Sequence, residues 1–214
     1  SVHDRASIGF GLSKINVTNP FIDLNAKIKL LPQGRDGGSP VNLTYFGNMG
    51  INTEAETQYK YQDGVERLSY CPSLIISRRF TKKFSAQLGP QVSHFNAVDS
   101  LYENDIFGLS VGARLKVTSQ SSLMFEFTTP FGEHPVNSDE HGNLTKKAGP
   151  YNNIAFGWEV ATSSHAFQII FGVYRGLVPQ QNLANNSNEF IKDVNGENKL
   201  SFVVGFNMTR LWSF

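Results

Sequence analysis

The sequence contains one cysteine, few charged residues and no long hydrophobic run, and each shortage excludes a class of protein. Cys71 alone cannot form an internal disulfide and fits no metal-binding spacing, so we expect a structural residue that points inward from a strand. No stretch approaches the roughly 18 consecutive apolar residues that a membrane-spanning helix needs. The formal net charge is +1 and no Lys/Arg stripe is present, which argues against nucleic acid as the main partner.

The chain is instead rich in aromatic residues, which make up 12% of it and include 17 Phe. Charged residues are 17%, against roughly 25% in an ordinary soluble domain. This balance is typical of a β-barrel that faces lipid. At 214 residues the chain is long enough for one large β domain, so we expect residues 1–214 to form a single domain. No secretory signal peptide stands at Ser1, as expected for a mature protein or for a chain that begins inside a longer one.

Apolar and polar residues alternate along ten segments, and this period of two predicts strands with one apolar and one polar face. Lengths of about 9–11 residues match what a tilted strand needs to cross a bilayer. Pro72 and Pro90 fall inside two segments, where we expect bulges or displaced strand ends. The predicted strands are Arg5–Lys14, Phe21–Leu30, Val41–Ile51, Arg67–Arg78, Phe84–His94, Ile106–Val117, Leu123–Thr129, Asn153–Ala161, Ala166–Tyr174 and Lys199–Phe214.

The connections between these segments alternate between long and short. Asn52–Glu66, Pro130–Tyr151 and Gly176–Glu197 are long, whereas Arg79–Lys83 and Thr162–His165 are short. The pattern is less regular at the start, where Leu31–Pro40 is longer than the connection before it. Bacterial outer-membrane barrels have short periplasmic turns and longer extracellular loops. The sequence therefore predicts an all-β fold, a transmembrane antiparallel up-and-down barrel with its three long loops exposed to other envelope proteins.

The last segment ends on an aromatic residue, with a second large apolar residue two positions earlier. Asn207, Trp212 and Phe214 resemble the C-terminal signal that the barrel-insertion machinery of Gram-negative bacteria recognises. The glycine commonly found five positions before the end is Thr209 in this chain. The pattern predicts insertion into the bacterial outer membrane.

The polar face of the segments is mostly small, and it carries few charges. A soluble barrel would need a solvated outer face rich in Lys and Glu, so the small polar face is expected to line a narrow lumen. The inward charges could line a pore, or they could pair and close the lumen, and the narrow bore of ten to twelve strands favours closure. The predicted lumen-lining residues are Asp23, Lys27, Lys29, Gln87, Gln91, Arg114, Glu126, Glu159 and Gln168.

Four stretches, at 67–96, 104–127, 160–171 and 199–214, resemble in that order the closing two-thirds of a Bacteroidetes-type family of outer-membrane β-barrel proteins, a domain of unknown function. Residues 162–168, Thr-Ser-Ser-His-Ala-Phe-Gln, are the most particular piece. Members usually carry one or two further strands before the point matching Arg5, which implies about twelve strands in the complete barrel. The resemblance implies location and fold, and no particular activity.

Two Ser-His pairs, Ser93–His94 and Ser164–His165, are candidates for catalysis on lipid. Neighbouring residues on a strand point to opposite faces, so neither pair is expected to form a nucleophile and base, and no catalytic residue is predicted. Asp139 and Glu140 lack the spacing of a calcium loop, and no metal or cofactor is predicted.

Three functions remain open. The first is a non-enzymatic outer-membrane barrel in contact with lipid, acting as an accessory or structural subunit of a larger envelope complex. The second is a small porin-like channel, and the third is a lipid-modifying barrel enzyme.

Overall fold

A computed structural model describes residues 5–14, 20–34, 38–54, 61, 63–98, 102–132, 135–138, 144–146, 150–194 and 197–210. These residues are almost entirely β-structure, apart from one short helix and a 3-10 turn at Val65–Arg67. The helix is α1, Pro179–Ala184. The strands are β1 (Ala6–Lys14), β2 (Pro20–Leu31), β3 (Asn42–Asn52), β4 (Leu68–Arg79), β5 (Phe84–Phe95), β6 (Asp105–Lys116), β7 (Ser121–Phe131), β8 (Pro135–Ser138), β9 (Leu144–Lys146), β10 (Asn153–Ala161), β11 (His165–Gly172), β12 (Ile191–Val194), β13 (Glu197–Leu200) and β14 (Val203–Arg210).

Ten of these strands form one antiparallel sheet in the order β1-β2-β3-β4-β5-β6-β7-β10-β11-β14. The other four strands form two small hairpins, β8 with β9 and β12 with β13. Within the described residues the sheet is not closed, and β1 and β14 are its two edges. The predicted all-β, antiparallel, sequential arrangement is confirmed.

The last predicted strand, Lys199–Phe214, is wrong at its beginning. Leu200 pairs with Ile191 in the small hairpin, and the strand of the large sheet begins only at Val203. Apolar and polar residues alternate through both β13 and β14. The alternation indicates which face of a strand a residue occupies, and it carries no information on which strand is the partner.

Pro72 and Pro90 lie inside β4 and β5, and the expected bulges are absent from the register between these strands. Pairing runs from Ser69–Phe95 to Arg79–Ser85 without a shift. Each proline pairs on its other side, Pro72 with Gly47 and Pro90 with Leu109. No pairing between β4 and β5 involves either proline, so the donor that proline lacks is not needed there.

The two faces of the sheet differ as the alternation predicts. Large apolar side chains on one face are exposed even at mid-strand, for example Phe10 at 68% and Phe206 at 69%. The opposite face carries small polar residues and glycines, and it borders a space that we call the lumen. No helix among the described residues is both long and apolar enough to cross a membrane.

The two ends of the sheet are unlike each other. At the short-turn end, residues 80–83, 117–120 and 162–164 connect neighbouring strands, and the longer connection 32–41 joins β2 to β3. At the long-loop end, the connections span residues 53–67, 96–104, 132–152 and 173–202. The last of these long connections contains α1, which enters the lumen.

Candidate functional site

The internal helix α1 begins with Pro179, whose fixed backbone angle suits the first turn, after an extended Val178. The Asn185 N–H donates to the Gln181 carbonyl and ends the helix. Six residues are too few for a stable helix in isolation, so packing must hold it. Gln180 and Leu183 are 0% and 1% exposed, which places the helix inside the sheet's curvature against β4 to β7.

Leu183 provides the apolar contact between α1 and the wall. It clusters with Ile106 and Ala184, and Phe95 packs against the cluster. Position 108 is glycine, and a Cβ there would lie 2.4 Å from Leu183 Cδ1. Because Gly108 has no side chain, the sheet leaves a hollow at this position, and the Leu183 side chain occupies it.

Polar contacts fix the helix in register with three wall strands. Ser93 Oγ donates to the Gln180 carbonyl at 3.0 Å, and Gln180 Nε2 donates to Ser69 Oγ at 3.2 Å. Asn153 Nδ2 donates to the Asn182 carbonyl at 2.7 Å. Gln180 Oε1, Asn153 Oδ1 and Asn182 Oδ1 are buried without a donor. Seating α1 therefore costs free energy at these atoms, which the apolar contacts must offset.

The prediction that the whole loop Gly176–Glu197 is an exposed surface is wrong for residues 179–184. Leu183 and Val178 are apolar and buried in a connection that is otherwise largely polar. Together with Pro179 at a helix start, they are the signal that could have revealed α1. The loops Asn52–Glu66 and Pro130–Tyr151 lie only partly within the described residues.

Four of the side chains on the inner face form a chain of polar contacts near the short-turn end. Arg114 Nη2 contacts Glu159 Oε1 across β7. Gln168 Nε2 donates to Glu159 Oε2 at 2.8 Å, and Asn207 Nδ2 donates to Gln168 Oε1 at 3.3 Å. The chain joins β6, β10, β11 and β14, and it satisfies the two opposite charges that it contains.

Asp23, Lys27 and Lys29 lie on β2, on the other side of the sheet. Asp23 Oδ2 accepts from Asn48 Nδ2 at 3.2 Å and from Asn25 Nδ2 at 3.4 Å. Lys27 Nζ lies 5.6 Å from the Phe46 ring centroid, a cation–π distance. Lys29 is exposed, and its backbone N–H donates to the Arg5 carbonyl.

Glu126 lies at the middle of β7 and differs from the other two carboxylates of the predicted lumen set. No hydrogen bond or ion pair joins its carboxylate to another side chain in the described part of the chain. In the register, Glu126 pairs with Gly112 and Ala155, and Gly112 pairs with Gln87. The carboxylate is therefore flanked by two small residues that leave room around it.

Two cavities meet at Glu126. The larger, which we call the vestibule, has a volume of about 830 Å³ and reaches the short-turn end at Arg79 and Ser85. The smaller, about 220 Å³, lies under α1 and is lined by Gln91 and Leu183. Glu126 and Tyr174 line both. The larger cavity thus lies toward the short-turn end, and the smaller one lies beside α1.

Tyr174 follows the end of β11, and its ring lies 3.6 Å from where a Cβ on Gly172 would be. Burial, followed by the negative charge of Glu126, raises the pKa of Tyr174 to about 12. The phenol therefore remains neutral at physiological pH, next to the carboxylate.

The two Ser-His pairs differ. Ser93 points to the Gln180 carbonyl, while His94 contacts Asp105 at 2.8 Å and Asn96 at 3.0 Å, so this pair diverges as predicted. In the second pair, Ser164 Oγ lies 3.0 Å from His165 Nδ1. The prediction that Ser164 and His165 point to opposite faces of a strand is wrong, because β11 begins at His165 and Ser164 belongs to the preceding turn. Within the described residues, no carboxylate contacts His165.

Asn207 points toward Gln168 inside the lumen, whereas the other two residues of the predicted insertion signal, Trp212 and Phe214, lie outside the described residues. His134, His141, Asp139 and Glu140 also lie outside them. Among the residues that are described, no three His, Cys, Asp or Glu side chains come together as a metal site.

Comparison with protein families gives one result. The membrane-bound beta barrel domain family, DUF5777, a domain of unknown function, matches residues 1–212. No curated protein and no solved structure matches the chain. The family match covers nearly all of the chain and agrees with the antiparallel sheet and its exposed apolar face. The chain therefore belongs to the DUF5777 family of membrane-bound β-barrel domains.

Proposed function

We propose that the protein is a non-enzymatic and non-conducting outer-membrane β-barrel, and that it serves as an accessory or structural subunit of a larger envelope complex. The observation that carries the proposal is the internal helix α1, which occupies the long-loop end of the lumen. Three polar contacts and the buried Leu183 hold it there. Outer-membrane placement is supported by the short turns at one end of the sheet and the long loops at the other.

Conductance in planar bilayers tests the closed lumen. We expect no steady ionic steps from the wild-type protein. A variant in which Pro179–Ala184 is replaced by a flexible Gly/Ser segment of equal length should conduct, because the smaller cavity under α1 then opens toward the long-loop end. Steady steps from the wild-type protein would contradict the proposal.

A small porin-like channel is the second candidate, and the vestibule favours it. This cavity has a volume of about 830 Å³ and reaches the short-turn end, and it shares Glu126 and Tyr174 with the smaller cavity under α1. The same recordings decide between the two candidates, since a channel requires that the wild-type protein conducts without any change to α1.

The accessory role rests on the loops that remain at the long-loop end, and isolation from native membranes tests it. We expect other envelope proteins to co-purify with the barrel under gentle detergent. Recovery of the barrel alone under those conditions would count against the role.

The absence of enzymatic activity is also part of the proposal. His94 is engaged by Asp105 and Asn96, and Ser164–His165 lacks a carboxylate partner within the described residues. A nucleophilic hydroxyl needs a base that is itself oriented by a third group. Lipid turnover by the purified protein that disappears in His165→Ala would contradict this part of the proposal.

A further inference from the structure

The three carboxylates of the predicted lumen set differ in the partners that they have. Asp23 accepts two amide donors, and Glu159 is paired with Arg114 and Gln168. Glu126 has neither an ion-pair nor a hydrogen-bond partner among the described side chains. Glu126 is exposed to the vestibule, and ionisable residues that line a water-filled cavity of a membrane protein commonly mark a functional position. Glu126 is therefore the inward carboxylate that still has capacity for a ligand.

Space around Glu126 is provided by its neighbours in the register. Gly112 on one side and Ala155 on the other project little or nothing into the lumen. The Gln87 side chain extends over Gly112, where a Cβ would lie 3.0 Å from its Cγ and Nε2. Tyr174 approaches from the opposite side, over Gly172. One carboxylate, one amide and one phenol thus border the same cavity.

The chemistry of these groups favours a primary ammonium. An ammonium group has three donors and no acceptor, and Glu126, the Gln87 carbonyl oxygen and the Tyr174 oxygen can each accept. Its single positive charge matches a single carboxylate, whereas a divalent metal ion would remain partly uncompensated. The ring of Tyr174 adds a surface that attracts cations.

The arginines of the vestibule do not occupy this position. Arg114 is paired with Glu159, and Arg78 lies over the Phe80 ring at 5.3 Å. Arg79 is on β4, three strands away from β7, and at the level of Arg114 rather than Glu126. The vestibule volume of about 830 Å³ lies within the range of small-molecule sites, roughly 300–1,000 Å³.

We propose that the vestibule is a binding site for a small organic amine, whose primary ammonium group is held by Glu126 with Gln87 and Tyr174 and which enters from the short-turn end. This site is independent of whether α1 closes the lumen, so a conducting wild-type barrel would overturn the closed-lumen proposal and leave this one standing.

Titration calorimetry on the whole folded protein in detergent tests the site. The probe is n-propylammonium chloride, 1-propanol is its uncharged match, and potassium chloride at equal ionic strength is the metal-cation comparison. We expect saturable binding of the ammonium probe only. Binding should weaken at least tenfold in Glu126→Gln, a near-isosteric change, and remain at the wild-type level in Glu103→Gln, a carboxylate at the exposed long-loop end.

Near-ultraviolet circular dichroism verifies that each variant retains its tertiary structure. Gln87→Ala is a second variant that leaves the charge in place, and it should weaken binding to a smaller extent. The proposal is overturned if no saturable binding occurs, if Glu126→Gln binds as well as the wild-type protein, or if potassium competes equally with the probe. Saturable binding of acetate, unaffected by Glu126→Gln, together with no ammonium binding would assign the vestibule to anions instead.

Discussion

Position 108 illustrates how a single missing side chain shapes the lumen. A Cβ added to Gly108 would lie 2.4 Å from Leu183 Cδ1 and 3.0 Å from the Thr129 carbonyl oxygen. The first of these distances is far below normal contact, and the second involves backbone, which cannot rotate away. The glycine therefore allows Leu183 to pack against the sheet, and this contact holds helix α1 in place.

Gly108→Ala should consequently destabilise the protein by about 1–3 kcal/mol, the usual cost of overpacking. Urea unfolding of the protein in detergent, followed by tryptophan fluorescence, measures the change. Gly205→Ala is the matched control, because a Cβ there has no neighbour closer than 3.9 Å. Equal stability of the two variants would mean that Leu183 does not occupy the hollow at Gly108.

At the scale of elements, contacts between side chains on the inner face join strands that are neighbours or next neighbours in the sheet. Arg114 on β6 reaches Glu159 on β10 by crossing β7, and Gln168 and Asn207 extend the chain to β14. Arg114 is 48% exposed in its side chain and Glu159 13%. Water in the vestibule therefore screens the pair partly, and the contribution to stability is modest.

A double-mutant cycle with Arg114→Met and Glu159→Gln should give a coupling of about 0.5–1 kcal/mol. The single variant Arg114→Met is expected to be the more harmful, since it leaves Glu159, the more buried partner, without its cation. The pair Glu197–Lys199 is the control, because both side chains are more than half exposed and coupling near zero is expected. A coupling energy of zero for Arg114–Glu159 as well would show that this ion pair does not stabilise the protein.

The sequence predicts well the bounds of strands that follow from the alternation of apolar and polar side chains alone. Phe84–His94 and Asn153–Ala161 differ from β5 and β10 by one residue at most. The beginning of the last strand was missed because Leu200 alternates correctly but pairs with Ile191. Helix α1 was missed because six residues are too few to show a helical period, and burial of a loop depends on the space that the wall leaves.

In the candidate site, too, the sequence predicts the direction of a side chain but not its partners. The inward direction of Glu126, Arg114 and Glu159 follows from alternation along single strands. The pairing of Arg114 with Glu159, and the isolation of Glu126, depend on which side chains meet across β7. Contacts between residues 45 positions apart, such as Arg114–Glu159, leave no local pattern in a single sequence.

At the scale of the whole molecule, the two ends of the barrel are chemically and geometrically distinct, and this asymmetry predicts an orientation. Three short turns lie at one end, and the vestibule opens there. If the barrel is in an outer membrane, the short turns face the periplasm and the long connections face the outside. The vestibule then receives its ligand from the periplasm.

A protease site inserted after Gly64 should be cleaved in intact cells, because this residue lies in a long connection and nothing lies within 4 Å of a Cβ placed there. The same site inserted after Ser119, in a short turn, should be cleaved only once the outer membrane is permeabilised. Immunoblotting of the fragments measures both. Cleavage at Ser119 alone in intact cells would reverse the orientation.

The internal helix is tethered at both ends, by residues 173–178 to β11 and by residues 185–190 to the hairpin that precedes β14. A segment tethered in this way stays at an effective concentration on the order of millimolar beside its own docking position. If its contacts broke, it would return by a first-order process that does not depend on how much protein is present. Spontaneous openings of the lumen should therefore be brief and recurrent, and cutting one tether should lengthen them.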